Sequence, residues 1–103
     1  MEKMFIVCWW ASSCDDRGNA HANVGIHGVY STRGGAKIGL VDCKDQLLEE
    51  TKNAVDPDGE YPELLDELDI KVYGSEAEEY FEIDYILGTE SCEVCIKIIE
   101  QYN

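Results

Sequence analysis

Two cysteines three residues apart, Cys92 and Cys95 in "TESCEVCIKIIEQYN" (89–103), are the first residues here that invite chemistry. A C-x-x-C can hold zinc when a second ligand pair joins it. It can also cycle between thiol and disulfide at a helix N-terminus, where the dipole lowers a thiol pKa. The spacing predicts a helix over 90–102 with Thr89 or Ser91 as its N-cap. Cys92, Cys95, Ile96 and Ile99 then fall at i, i+3, i+4 and i+7, while Glu93, Lys97 and Glu100 take the opposite side. Free cysteine packs as a small apolar residue, so this stripe reads first as a core-facing helix. A thioredoxin-type motif follows the first strand of a βαβ unit, which this one does not. A zinc site would draw on Cys8, Cys14, His21, His27 or Cys43, and none of these forms a second tight pair.

Other reactive patterns are sparse. His21 and His27 are six apart on an expected strand and so share a face, which more often means a solvated face than a catalytic couple. No G-x-S-x-G, H-E-x-x-H or phosphate-binding loop is present. "RGGAKIG" is rich in glycine but lacks the strand–loop–helix spacing of a phosphate cradle. "DPDGEYPELLDE" starts like a calcium loop, yet its glycine is fourth rather than sixth and Pro62 interrupts it, so it reads as a turn. The chain is therefore expected to be non-enzymatic, with no catalytic residue, metal or cofactor.

Charge is the stronger signal. The formal net charge is −14 over 103 residues. The first 40 residues carry four basic and three acidic side chains. The remaining 63 hold 19 acidic against four basic, a net of −15. Such a field repels nucleic acid and anionic membranes and attracts basic proteins. The chain is expected not to bind DNA or RNA directly on this ground. The carboxylates come as Asp56, Asp58, Glu60, Glu63, Asp66, Glu67 and Asp69, then Glu76, Glu78, Glu79, Glu82 and Asp84, with Tyr61 and Tyr80 among them. Tyr73, Phe81 and Tyr85 are interleaved as well. A solubilising surface accounts for such a run. So does a binding face for an Arg- and Lys-rich groove, in which carboxylates stand where phosphates would.

These residues need a scaffold. At 45% apolar composition the chain should bury a modest core as one α+β domain spanning 1–103. "MFIVCWW" (4–10) is apolar on both faces of a strand and too short for a signal or membrane segment. "HANVGIHGVYS" (21–31) pairs with it as an N-terminal hairpin around a long loop. A central helix over about 33–54 follows, capped by Ser31 or Thr32, with Ile38, Val41 and Leu48 beside Leu40 and Leu47 as its apolar stripe. Gly34, Gly35 and Gly39 weaken its first turns, and "AKIGLV" is alternatively a short strand. Pro62 starts a short helix, "IKVYG" (70–74) and "YFEIDYIL" (80–87) read as strands, and the C-terminal helix closes the domain. Five cysteines, odd in number and irregularly spaced, fit a reducing compartment, here the cytoplasm of a bacterial host cell.

"GVYSTRGGAKIGL" (28–40) resembles a pattern in small phage and mobile-element proteins, in which a strand ending G-V-[FY]-S-[ST] leads into a helix. The likeness covers about a quarter of the chain, and Gly34 and Gly35 stand where charged helix residues are usual. In size, acidity and lack of catalytic motifs the chain is similar in type to phage anti-defence proteins such as anti-CRISPR inhibitors. The resemblance implies a viral inhibitor that occupies the nucleic-acid groove of a basic host defence effector, a CRISPR effector being the example. The alternative from the residues themselves is a small-molecule- or metal-binding domain built on Trp9, Trp10, His21 and His27 with the thiols.

Overall fold

The computed structural model describes residues 2–102. Strand β1 (Lys3–Cys14) and strand β2 (Ala20–Tyr30) form the expected hairpin. Helix α1 (Arg33–Val55) and the six-residue α2 (Pro62–Glu67) follow, then β3 (Lys71–Ser75), β4 (Tyr80–Leu87) and β5 (Glu90–Tyr102). The strands make one antiparallel sheet in the order β2-β1-β5-β4-β3. Its spine is the β1–β5 pair, in register from Lys3 opposite Tyr102 to Cys14 opposite Ser91.

The expected C-terminal helix is corrected: residues 90–102 are β5, the central strand. Its sequence carries two periods at once. Alternate residues Val94, Ile96 and Ile98 are buried toward the helix, and these β-branched side chains with Ile99 pack better on a pleated sheet than along a helix. A strand covered on one side and flanked on both reads as a nearly continuous apolar run, which also contains the i, i+3, i+4, i+7 spacing. The turn that launches it is Gly88–Thr89, a two-residue hairpin loop with Gly88 at φ +65. A positive φ at the first loop position is the geometry that favours glycine.

Helix α1 is continuous from Arg33, so "AKIGLV" is helical and not a strand. Thr32 caps it, its Oγ1 accepting from the Gly35 N–H at 3.0 Å. The buried stripe is Ala36, Gly39, Leu40 and Cys43, with Leu47 half-buried one turn on, whereas Ile38 is 65% exposed. The expected stripe through Ile38 is thus rotated, because the small residues let the helix lie close to the sheet. Tyr30 occupies the space at Gly39, where an added Cβ would stand 2.2 Å from the phenol oxygen. Phe5, Val7, Phe81, Ile83, Val94, Ile96 and Ile98 complete the core between helix and sheet.

Arg33 ties the start of α1 to the neighbouring end of the sheet. Its guanidinium pairs with Glu79 in the β3–β4 turn and Glu100 on β5, and sits 5.2 Å over the Phe5 ring.

Two glycines of one helix should respond with opposite signs to the same change. Gly34→Ala meets open space and should stabilise the fold by about 0.5 kcal/mol through helix propensity and a stiffer unfolded chain. Gly39→Ala drives a methyl into Tyr30 and should cost about 1–3 kcal/mol despite the better propensity. Thermal denaturation of both variants checks this; stabilisation by Gly39→Ala would contradict the packing.

Candidate protein-binding surface

Helix α1 lies on one face of the sheet, and the register assigns the side chains of the other. Because side chains alternate along a strand, the open face is a grid read from β2 to β3. One row runs Val24, Trp10, Cys95, Glu82, Tyr73; the next runs Ala22, Ser12, Glu93, Asp84, Lys71. A third runs Ile26, Cys8, Lys97, Tyr80, Ser75, and beyond it stand Val29, Ile6 and Ile99. The face changes character across its width. On the β2–β1 side it is apolar, with Val24, Ile26 and Val29 all more than half exposed. On the β5–β4 side it is a carboxylate cluster.

The cluster is tightly connected. Tyr80 donates its hydroxyl proton to Glu82 Oε1 at 2.6 Å, and the Cys95 thiol donates to Glu93 Oε1 at 3.3 Å. Acceptance by Glu82 raises the Tyr80 pKa above its ordinary value. Burial pushes the Cys95 thiol up to about 11, with its contacts to the carboxylates of Glu93 and Glu82 adding to the rise. Asp84 is raised as well, first by desolvation, then by a hydrogen bond and the charge of Glu82 and the charge of Glu93, against the pull of Lys71. Its Oδ1 is shielded from solvent and finds no hydrogen-bond partner among the described residues. Neutral thiol and phenol are poor nucleophiles, so what the cluster offers is negative charge and hydrogen-bond acceptors. Glu82, Glu93 and Cys95 each place one ligand atom within 4.8 Å of the others, enough for three donors to a cation.

The cysteines do not act together. Three residues apart on a strand, Cys92 and Cys95 point to opposite faces: Cys92 toward the helix side opposite Ser13 and Tyr85, Cys95 onto the open face. The single apolar stripe expected for them is therefore corrected, and one ion cannot take both. Cys43 is buried against the sheet from α1, its pKa pushed up to about 11 by burial. The hairpin residues of the alternative reading are dispersed too. Trp9 lies over Gly25 on the helix side, while its neighbour Trp10 faces the open side. His27 lies at the β-bulge opposite Val7 and Cys8 and borders a hollow with Gln46 and Glu50. His21 stands about 20 Å further along the strand, in a hollow of about 690 Å³ with Cys14, Asp84 and Glu93.

The acidic residues singled out from the sequence fall into three groups. Asp58, Glu60, Glu63, Asp66, Glu67 and Asp69 are exposed around α2, with Tyr61 among them. Glu76, Glu78 and Glu79 form the β3–β4 turn, and Glu82 and Asp84 belong to the open-face cluster beside Tyr80. Two of these are not free for a partner. Asp56 is buried and accepts the N–H groups of Glu60 at 3.0 Å and Tyr61 at 3.1 Å, so it holds its own turn together. Glu79 is committed to Arg33. Glu93 was missed, because a helix over 90–102 put it on the outer side; in period-2 register it faces the same way as Cys95.

Asp84 supplies a pH test. A carboxyl whose pKa is raised in the folded state penalises folding when ionised, and the penalty fades as pH falls toward the ordinary value of about 3.9. Asp84→Asn should therefore raise Tm at pH 7 by a few degrees, with the gain shrinking steadily toward pH 4. A variant that is destabilised at pH 7, or whose gain does not vary with pH, would contradict the placement of Asp84 beside Glu82 and Glu93.

Comparison with known protein families, with curated proteins and with solved structures finds none that matches this chain.

Proposed function

We propose that the chain is a non-enzymatic binding protein, an inhibitor of the phage anti-defence type, that docks a basic nucleic-acid-binding protein through its acidic side. The observation that carries the reading is the cluster of Glu82, Asp84 and Glu93 on a sheet face that no helix among the described residues covers, at a cost to the fold in like-charge repulsion. Tyr73 stands opposite Glu82 on β3 and Tyr80 beside it on β4, and both offer flat, amphipathic contact area of the kind that guanidinium groups stack on. The exposed carboxylates of the β3–β4 turn and of Asp66, Glu67 and Asp69 flank β3 at its two ends, about 17 Å apart. That spacing lets one side of the molecule offer a row of negative charge to an Arg- and Lys-rich groove. A CRISPR effector, whose channel holds nucleic acid by its backbone, is a partner of the required chemistry.

Nucleic acid should then compete with this protein for one site. Its affinity for such an effector should fall as the Debye length shrinks from about 10 Å at 0.1 M salt to 3 Å at 1 M. Reversal of Glu76 and Glu78, or of Asp66 and Glu67, to lysine should weaken binding by about tenfold or more, the usual scale for losing charge pairs. Asp16→Lys on the hairpin loop combined with Glu49→Lys on the exposed side of α1 shifts net charge by the same amount and is the control. Asp15 is unsuitable, because its carboxylate accepts from Arg17 and Asn19 and holds that loop. Equal losses in all variants, or a complex in which nucleic acid and this protein are bound together, would overturn the reading.

A further inference from the structure

The opposite edge of the sheet is unlike the rest of the molecule. β2 is an eleven-residue edge strand, AHANVGIHGVY, with no Asp, Glu, Lys or Arg, in a chain that is 29% charged. Edge strands are ordinarily blunted by lysine, proline or brevity, because their free N–H and C=O groups pair with any strand that arrives. Here the only such device is the bulge near His27, which leaves Ala20–Ile26 regularly paired to β1. Every side chain from Ala20 to Val24 is exposed, and Val24 and Ile26 are 79% and 67% exposed.

We infer that Ala20–Ile26 pairs antiparallel with the same segment of a second copy, joining two sheets into one of ten strands. Charge selects the occupant. The first 40 residues are nearly neutral, whereas the rest carry a net −15. β2 is thus the edge at which two such chains can approach. Pairing there puts both β3 edges, with their carboxylates, at the far ends of the joint sheet. Stacking the open faces would instead bring a second chain over Glu82, Asp84 and Glu93. The side chains also fit a two-fold axis at Asn23. On the open face Val24 falls opposite Ala22 of the second copy, and Ile26 opposite Ala20, a large residue against a small one at each step. On the helix side His21 falls opposite Gly25, and the two Asn23 amides meet across the axis.

The contact is a strip of seven residues, about 23 Å long, well below the roughly 800 Å² per partner of a standard stable interface. The dimer is therefore weak, forming at tens to hundreds of micromolar. It does not rest on the acidic-side function, because it uses the other edge and responds oppositely to salt. Screening relieves repulsion between two chains of the same sign but weakens attraction to a basic partner.

Sedimentation equilibrium of the full chain, from about 10 μM to about 1 mM, reads the association directly. The mass should climb from 11.6 kDa toward twice that value, and more readily at 0.5 M than at 0.05 M salt. Hydrogen exchange should slow at residues 20–26 as concentration rises. The double variant V24K/I26K replaces exposed side chains, so its Tm should be near that of the parent, and it should stay monomeric across the range. I38K, on the outer surface of α1, should dimerise as the parent does. A parent chain that stays monomeric at 1 mM in 0.5 M salt overturns the inference. So does a dimer that V24K/I26K leaves intact, or protection that appears outside 20–26.

Discussion

A single helix covers one face of a five-stranded sheet, and most of what is distinctive in this protein follows from that asymmetry. Five strands span about 19 Å from first to last, while α1 brings one narrow stripe of Ala36, Gly39, Leu40 and Cys43 to them. Its close approach, with Tyr30 seated against Gly39, concentrates the core on Val7, Ile83 and Ile96, which are fully buried. The reverse side of the same strands has no such cover. There the residues must settle with water or with each other, and they do so differently on the two sides: aliphatic side chains along β2, and acids on β5 and β4 with tyrosines on β4 and β3.

The electrostatics follow the same division. Of the eight basic side chains, Arg33, Lys44 and Lys71 are engaged with the fold's own groups. Arg33 holds Glu79 and Glu100 over Phe5, Lys44 lies 5.3 Å from the Phe81 ring, and Lys71 stands 3.5 Å from Asp69. Lys71 and Lys97 share the open face with Glu82, Asp84 and Glu93, yet burial and mutual repulsion still push Asp84 toward its neutral form. A fold selected for stability alone would place an amide or a threonine at that position. Retained repulsion on an uncovered face is what a surface built for an outside cation looks like, and in the function proposed above those cations are the arginines and lysines of a protein partner.

Much of this architecture was legible in the amino-acid order. The hairpin, α1, the proline-started α2, and β3 and β4 are each announced by a local signal: alternation, a threonine cap, a breaker. The last strand was not, because Cys92, Cys95, Ile96 and Ile99 satisfy a helical period, while Val94, Ile96 and Ile98 satisfy a strand's. Only the pairing with β1 decides between them. Gly88–Thr89 was the overlooked local cue. The candidate surface was legible as composition but not as geometry. Asp56 and Glu79 count as acids in the sequence, yet one closes its own turn and the other an ion pair. Glu93 joins Glu82 and Asp84 only once β5 is a strand.

The central claim is that the partner meets the uncovered, acidic side and leaves the helix alone. Hydrogen–deuterium exchange of the chain bound to a CRISPR effector stripped of nucleic acid tests that most directly, because every element then reports at once. Protection should gather over the β3–β4 turn, β4 and residues 93–97, with the amides of α1 exchanging as in the free chain. Protection centred on α1, or an exchange pattern unchanged at saturating effector, would contradict the account.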